Sequence, residues 1–244
     1  MERWDTLWAG GWTFCFDDGA FKPSTDSFLL GSFPPLRRGW GVWCVVSALG
    51  SGTGLLGLLL LAREPSLTVT GLELSPAACA LADRTAAANG LTNRLITLPC
   101  DLRDRRQLPS AGHFDLAVSN PPYFPAGGGK TAAGSRGIHR AELACTMEQL
   151  CAAAAYLLRS GGQFCLVYRT ERLAELMETL RRHRLEPKVL RFVQKNAASA
   201  PSLLLMACRK DGGTGLTVQP PLLLQNDDGT ETPELRRIYF KEKG

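Results

Sequence analysis

A glycine-rich turn between an apolar strand and a leucine-rich helix constrains the fold of this chain more than any other feature. Residues 42–49 form an apolar run of strand length, Gly50-Ser51-Gly52-Thr53-Gly54 follows, and residues 55–63 are mostly leucine. Glycines permit positive φ angles and close approach of the backbone to a ligand. The helix after them presents unpaired N–H groups to an anion or a carboxylate. This unit predicts the first strand and helix of an α/β domain.

Strand and helix patterns alternate along the rest of the chain. The further predicted strands are 67–73, 95–98, 114–119 and 163–168, and the predicted helices are 75–89, 147–158 and 171–183. Residues 189–193 and 203–208 predict an antiparallel hairpin that closes the sheet. We therefore expect a Rossmann-like α/β fold with a mostly parallel sheet, an antiparallel C-terminal hairpin and helices on both faces.

Two smaller segments flank this α/β domain, which we place at residues 34–210. Residues 1–33 predict a hairpin, with Asp17-Asp18-Gly19 as its turn, followed by a capping helix that begins near Ser24-Thr25-Asp26. Residues 211–244 predict a C-terminal extension that packs on the same domain as irregular chain, because Gly212-Gly213 and Pro220-Pro221 interrupt it. Residues 124–137 predict a loop.

Composition excludes several classes of protein. The longest apolar run, residues 55–62, is too short to cross a bilayer, and the first residues lack the pattern of a secretory signal. The eight cysteines include no C-x-x-C pair, so we expect reduced thiols, a cytoplasmic protein and no metal site. The net charge of +5 includes a basic segment that fits either a polyanion or a solvated helix face. Its members are Arg169, Arg172, Arg181, Arg182, Arg184, Lys188, Arg191 and Lys195.

The motif Asn120-Pro121-Pro122-Tyr123 carries the most chemical information. It follows the predicted strand 114–119, so it lies at a carboxyl end, where open α/β sheets bind ligands. A rigid turn of this composition can hold a planar NH2 group, with oxygen acceptors in the plane of the group and a ring stacked above it. The motif therefore predicts a site for an amino group attached to a flat system.

Two acids complete a predicted nucleotide pocket. Glu73 ends the next strand after the glycine turn, where a carboxylate can accept both hydroxyls of a ribose. Asp101 follows the third strand and could accept from an adenine amino group. An adenosine-containing cofactor fits these positions. Residues 52–57 also match the dinucleotide fingerprint of nicotinamide dehydrogenases, but no histidine lies in a recognisable catalytic setting and the Asn-Pro-Pro-Tyr turn has no role in hydride transfer.

In this order, the glycine turn, Glu73, Asp101 and the Asn-Pro-Pro-Tyr motif resemble the S-adenosylmethionine-dependent class I methyltransferases that modify amino nitrogens. Further segments across residues 14–240 resemble the bacterial valine-tRNA adenine-N6 methyltransferase family, whose target is the adenine just 3′ of the anticodon. These are Asp26-Ser27-Phe28-Leu29-Leu30, Tyr123-Phe124, Arg140 with Glu142, Gly161-Gly162, Phe192-Val193, Pro220-Pro221 and Ile238-Tyr239. The chain departs from the family at Ala48, where an acid is usual, and at Ala141, where a histidine is usual.

The resemblance implies methyl transfer from S-adenosylmethionine to the N6 amine of an adenine in RNA, most simply in a tRNA anticodon loop. The implied catalytic residues are Asn120, Pro121, Pro122 and Tyr123. The implied cofactor-binding residues are Gly50, Ser51, Gly52, Gly54, Glu73, Leu74, Asp101, Leu102 and Asp26. The implied RNA contacts are Arg136, Arg140, Arg169 and Lys195.

Two alternatives stay open at this point. Protein glutamine N5-methyltransferases share the Asn-Pro-Pro-Tyr turn, because a glutamine amide is also a planar NH2 group. They usually carry an N-terminal helical domain and an isoleucine after the tyrosine, whereas the first strand here begins near Val42 and Phe124 follows Tyr123. The second alternative is a catalytically weak methyltransferase fold that serves as an RNA-binding scaffold, and Ala48 is the residue that suggests it.

Overall fold

A computed structural model describes residues 1–17, 23–46, 54–121 and 145–241, with only the backbone described at 44–46. Its centre is an eight-stranded sheet in the order β10-β8-β9-β7-β6-β3-β4-β5. The strands are β3 (Gly41–Val46), β4 (Thr68–Glu73), β5 (Leu95–Pro99), β6 (Phe114–Asn120), β7 (Leu158–Arg169), β8 (Leu185–Gln194), β9 (Leu203–Lys210) and β10 (Thr217–Leu223). All neighbours are parallel except that β9 runs antiparallel to β7 and β8. The predicted Rossmann-like fold is confirmed.

Helices cover both faces of the sheet. The first face carries α1 (Thr25–Ser32), α2 (Leu55–Arg63), α3 (Pro76–Ala88) and the short C-terminal α6 (Pro233–Ile238). The second face carries α4 (Met147–Leu157) and α5 (Leu173–Arg182). Two separate apolar cores result, one on each side of the sheet. Seven residues of α2, Leu55 to Leu61, are buried, which explains why this helix is so rich in leucine.

The sequence placed the N-terminal hairpin turn wrongly. The hairpin consists of β1 (Glu2–Thr6) and β2 (Thr13–Asp17), and its connection is residues 7–12. Asp17 is therefore the last residue of β2, and Asp18 and Gly19 lie outside the described residues. Leu7 and the rings of Trp8 and Trp12 pack against the first core. Burial of these apolar side chains in the connection outweighs the turn propensity of Asp-Asp-Gly.

The C-terminal extension contains regular structure that was predicted to be irregular. β10 pairs in parallel with β8 at the edge of the sheet, and α6 follows it. The register of β10 shifts between Gln219 and Leu222, at Pro220-Pro221. Proline is tolerated in an edge strand because one side of the strand needs no ladder partner, and an irregularity absorbs the missing N–H groups.

A smaller difference occurs between α4 and β7. The sequence placed the end of the helix at Gly161-Gly162 and the start of the strand at Gln163. The helix instead ends at Leu157, and the strand begins at once. The register against β6 jumps between Leu158 and Gln163, so the two glycines lie in a bulge, where Gly161 adopts a φ of +75°.

Most arginines of the basic segment are paired with acids. Arg172 pairs with Glu175, Arg181 with Glu186, Arg182 with Glu148 and Glu178, Arg184 with Asp211, and Arg191 with Glu234. These pairs offset much of the positive charge that the sequence pattern concentrates there. Where the structure describes the cysteines, seven are free thiols, and no described helix is long and apolar enough to cross a membrane.

Candidate active site

The site is built at the carboxyl ends of three neighbouring strands. Asn120 is the last residue of β6 and lies opposite Val46, the last residue of β3. On the other side of β3, Leu72 lies opposite Val45, so Glu73 comes one residue later. Asn120 and Glu73 therefore lie at the same level, two strand spacings or about 10 Å apart. The glycine turn continues from β3 directly between them.

Gly54 closes that turn with a conformation that favours glycine. It is the N-cap of α2 with a φ of +77°, a region that L-residues with a side chain rarely adopt. A Cβ at this position would lie 3.3 Å from the Cβ of Ala82 on α3. The backbone at the start of α2 therefore needs glycine both for its torsion angle and for its packing. Gly50, Ser51 and Gly52 lie outside the described residues.

Glu73 presents a carboxylate that lacks one of its partners. Its side chain is 4% exposed, and its Oε1 accepts a hydrogen bond of 2.8 Å from the backbone N–H of Ser75. Within the described part of the chain, its Oε2 is buried and accepts no hydrogen bond. Burial raises the pKa of the Glu73 carboxyl, against the smaller effect of N–H groups from Ser75 and Leu74. A buried acceptor without a donor is costly, and a bound molecule with hydroxyl groups would supply the donor.

Asp101 lies beside Glu73, but its carboxylate is engaged. The backbone N–H of Cys100 donates to the Glu73 carbonyl at 2.9 Å, which brings the end of β5 against the end of β4. The side chain of Asp101 accepts from Nε and Nη2 of Arg103 at 2.9 and 2.7 Å, and this guanidinium lowers the pKa of Asp101. Asp101 is therefore a firmly ionised acceptor whose orientation Arg103 fixes. Leu102 beside it is half-buried.

Asn120 is held by the N-terminus of α1. Its amide nitrogen Nδ2 donates to the hydroxyls of Ser24, at 3.5 Å, and of Ser27, at 3.4 Å. Pro121 follows and is buried. Asp26 lies in the same first turn of α1 and is half-buried. The sequence indicated Ser24 only as a helix cap, and the spacing of two serines three residues apart was the one available signal for this contact.

The predicted RNA contacts divide into two groups. Arg169 ends β7 and lies opposite Leu203, which in turn lies opposite Val193, two residues before Lys195. Because β6, β7 and β8 are parallel, Arg169 and Lys195 lie at the same edge of the sheet as Asn120. Pro122, Tyr123, Arg136 and Arg140 lie outside the described residues.

Comparison with known proteins assigns the chain to a family. The family model described as "Methyltransferase small domain" matches residues 44–192, from β3 to β8. The chain belongs to this family. The valine-tRNA (adenine(37)-N6)-methyltransferase of Serratia proteamaculans is 31% identical over 239 residues, 94% of this chain and 88% of the relative. The enzyme of the same name from Tolumonas auensis is 32% identical, covering 92% of this chain and 94% of the relative. The resemblance drawn from the sequence is confirmed.

Solved structures agree on the methyltransferase fold. A protein described as a predicted O-methyltransferase from Agrobacterium tumefaciens superposes with a TM-score of 0.72 at 21% identity, over 88% of this chain and 96% of that one. TYW2 from P. horikoshii, in complex with MeSAdo, gives a TM-score of 0.58 at 13% identity, over 83% and 69% of the two chains. At these identities the likeness concerns the fold alone.

Proposed function

We propose that this protein methylates the exocyclic N6 amine of an adenine in tRNA, with S-adenosylmethionine as the methyl donor and the anticodon loop as the site. The relatives that cover most of the chain carry the name of this activity. The observation that carries the proposal is the shared level of Asn120 and Glu73 on the two strands that flank β3. This arrangement puts an amide acceptor for a planar amine beside a carboxylate acceptor for a ribose.

The described residues fit this donor. The Glu73 Oε2, buried and without a donor among the described residues, would accept from the ribose hydroxyls, and its neighbour Leu74 would line the pocket. Asp101 and Leu102 would meet the adenine, while Gly50, Ser51, Gly52 and Gly54 would leave room for the methionine end. Ala48 supplies no acid for the methionine amino group, and Asp26 at the start of α1 is our candidate for that role. When bound, S-adenosylmethionine supplies an electrophilic methyl group.

The residues at the end of β6 would activate the target amine. Its lone pair is delocalised into the adenine ring, so the amine is a poor nucleophile. The Oδ1 of Asn120 and the carbonyl of Pro121 would each accept one N–H, which favours a tetrahedral nitrogen with a localised lone pair. Pro122 would stiffen the turn in advance. Tyr123 would stack on the base, and stacking of this kind stabilises by about 1–3 kcal/mol per base.

No strong general base is required. Once the nitrogen is methylated it is cationic, and its excess proton can leave to water. The target base must leave its stack to reach the site, which costs least in a single-stranded loop. Arg136, Arg140, Arg169 and Lys195 would contact phosphates and orient the RNA without reading its sequence. A tRNA substrate and free thiols fit a cytoplasmic protein.

The proposal is tested by incubating the purified protein with methyl-labelled S-adenosylmethionine and total bacterial tRNA, then digesting the RNA and identifying the labelled nucleoside. A peptide with an accessible glutamine, incubated in parallel, is the control for protein methylation. We expect the label in N6-methyladenosine and none in the peptide. Label in another nucleoside, in the peptide only, or in neither would overturn the proposal.

A further inference from the structure

Two serines at the start of α1 form a small hydrogen-bonded cluster with Asn120. The Ser24 hydroxyl is the N-cap of the helix and accepts from the Ser27 backbone N–H at 3.4 Å. The two hydroxyl oxygens are 3.2 Å apart. The amide nitrogen of Asn120 donates to both hydroxyls. Ser27 is fully buried, so water does not compete for its hydroxyl.

Counting donors and acceptors shows which way round the amide fits best. With Nδ2 toward the serines, its two N–H groups serve one hydroxyl each, and the Ser24 proton is left to bond Ser27. If the amide were flipped, both serine protons would have to turn to Oδ1 of Asn120. The bond between Ser24 and Ser27 would then be lost. The observed orientation therefore keeps one more hydrogen bond than the flipped one.

We propose that Ser24 and Ser27 are positioning residues that fix the amide of Asn120 with its Oδ1 turned away from α1, ready to accept an N–H of the target amine. This inference rests on the proposed function and adds to it the reason why the amide presents its oxygen rather than its nitrogen. An amide turned the other way would present N–H groups to the amine, where an acceptor is needed. The orientation is set before the substrate arrives.

The first test replaces both hydroxyls, as Ser24→Ala/Ser27→Ala. We expect kcat for tRNA methylation to fall about tenfold. The affinity for S-adenosylmethionine, measured by calorimetry, should stay within about twofold. Ser24→Thr keeps a capping hydroxyl and should keep most of the activity. Unchanged kcat in the double variant would overturn the proposal, and so would parallel loss of activity and cofactor affinity.

A matched control separates positioning from helix capping. Thr232 caps α6 with the same kind of bond, its hydroxyl accepting from the Leu235 N–H at 3.2 Å, and no contact between it and Asn120 is described. Thr232→Ala should lower the melting temperature as the serine changes do but leave kcat unchanged. An equal fall in kcat in the control would mean that loss of a cap alone explains the result.

A second test removes the difference between the two ends of the side chain. In Asn120→Asp both terminal atoms are oxygens, so orientation no longer matters. The serine double variant should therefore reduce the rate much less when it is combined with Asn120→Asp than when Asn120 is kept. Equal losses in the two backgrounds would indicate a general structural role and overturn the proposal.

A third readout does not depend on activity and stands even if the proposed substrate is wrong. The side-chain amide of Asn120 can be assigned by nuclear magnetic resonance, from the signal pair lost in Asn120→Asp. Its two protons should exchange slowly with water in the wild type and markedly faster in Ser24→Ala/Ser27→Ala. Equal exchange in the two proteins would contradict the described contacts, whatever the protein methylates.

Discussion

Asn120 and Glu73 end the two strands on either side of β3 at the same level of the sheet. One residue presents an amide and the other a buried carboxylate, and the glycine turn leaves β3 between them. The distance of about 10 Å suits two groups that hold the opposite partners of one reaction. The predictions below follow from the contacts of these two residues and their neighbours.

Glu73→Gln should weaken cofactor binding while stabilising the empty protein. The buried carboxylate has one oxygen without a donor among the described residues, and burial raises its pKa. A neutral amide removes the cost of the buried charge, so the melting temperature of the cofactor-free protein at pH 7.5 should rise by about 2–4 °C. Calorimetry should show a loss of at least tenfold in affinity for S-adenosylmethionine. A fall in melting temperature together with unchanged affinity would contradict the assigned role.

The affinity for S-adenosylmethionine should also depend on pH. Because the pKa of Glu73 in the empty protein is raised, the carboxyl takes up its proton at a higher pH than in an unfolded chain. Ribose hydroxyls donate best to the ionised form, so affinity should fall as pH falls through this raised pKa. The folding stability of the empty protein changes in the opposite sense, since the buried ionised form is disfavoured above that pKa. In Glu73→Gln both dependences should shrink, and persistence of either in that variant would assign it to another group.

Gly54→Ala should destabilise the protein more than the same change at another glycine with positive φ. Gly90, after α3, has a φ of +66°, and a Cβ added there would meet nothing within 4 Å, whereas at Gly54 that atom would meet Ala82 at 3.3 Å. Both changes incur the backbone cost of about 1–2 kcal/mol. Only Gly54→Ala adds a packing conflict. Urea unfolding of both variants measures the difference, and equal losses would show that α3 yields to the extra methyl group.

Lys195→Glu should weaken tRNA binding without affecting the cofactor. Lys195 is exposed at the edge of the sheet that carries Asn120. Loss of a phosphate contact should reduce affinity at all sequences and make the dependence of log affinity on log salt less steep by about one unit per contact. Lys241→Glu is the control, because Lys241 already pairs with Glu231. If the two variants lose equal affinity, net charge rather than a contact at Lys195 explains the effect.

The sequence predicted the parallel core well and the flanking segments less well. The strand, glycine turn and helix from Gly41 onward are set by local signals: an apolar run, a glycine turn and Ser75-Pro76 at the start of α3. β10 was missed because Pro220-Pro221 opposes strand structure locally, and only its pairing with β8 at the edge overcomes that preference. The hairpin turn was misplaced because burial of Leu7 is a tertiary effect.

Within the site, the strand-end residues were predictable and their partners were not. Asn120, Glu73 and Asp101 stand out because each follows an apolar strand. Their partners come from segments that only the fold brings near: Ser24 is 96 residues from Asn120 along the chain. The basic segment shows the opposite limit, since its arginines look available in the sequence and are mostly paired in the structure.

Asn120→Ala tests the central claim most directly. Single-turnover transfer of labelled methyl to tRNA should fall by at least about a hundredfold, because one of two acceptors for the target amine is lost. Calorimetry on the same sample should give an affinity for S-adenosylmethionine within about twofold of wild type. Methylation of tRNA at the wild-type rate by this variant would contradict the assignment of Asn120 as the group that holds the amine.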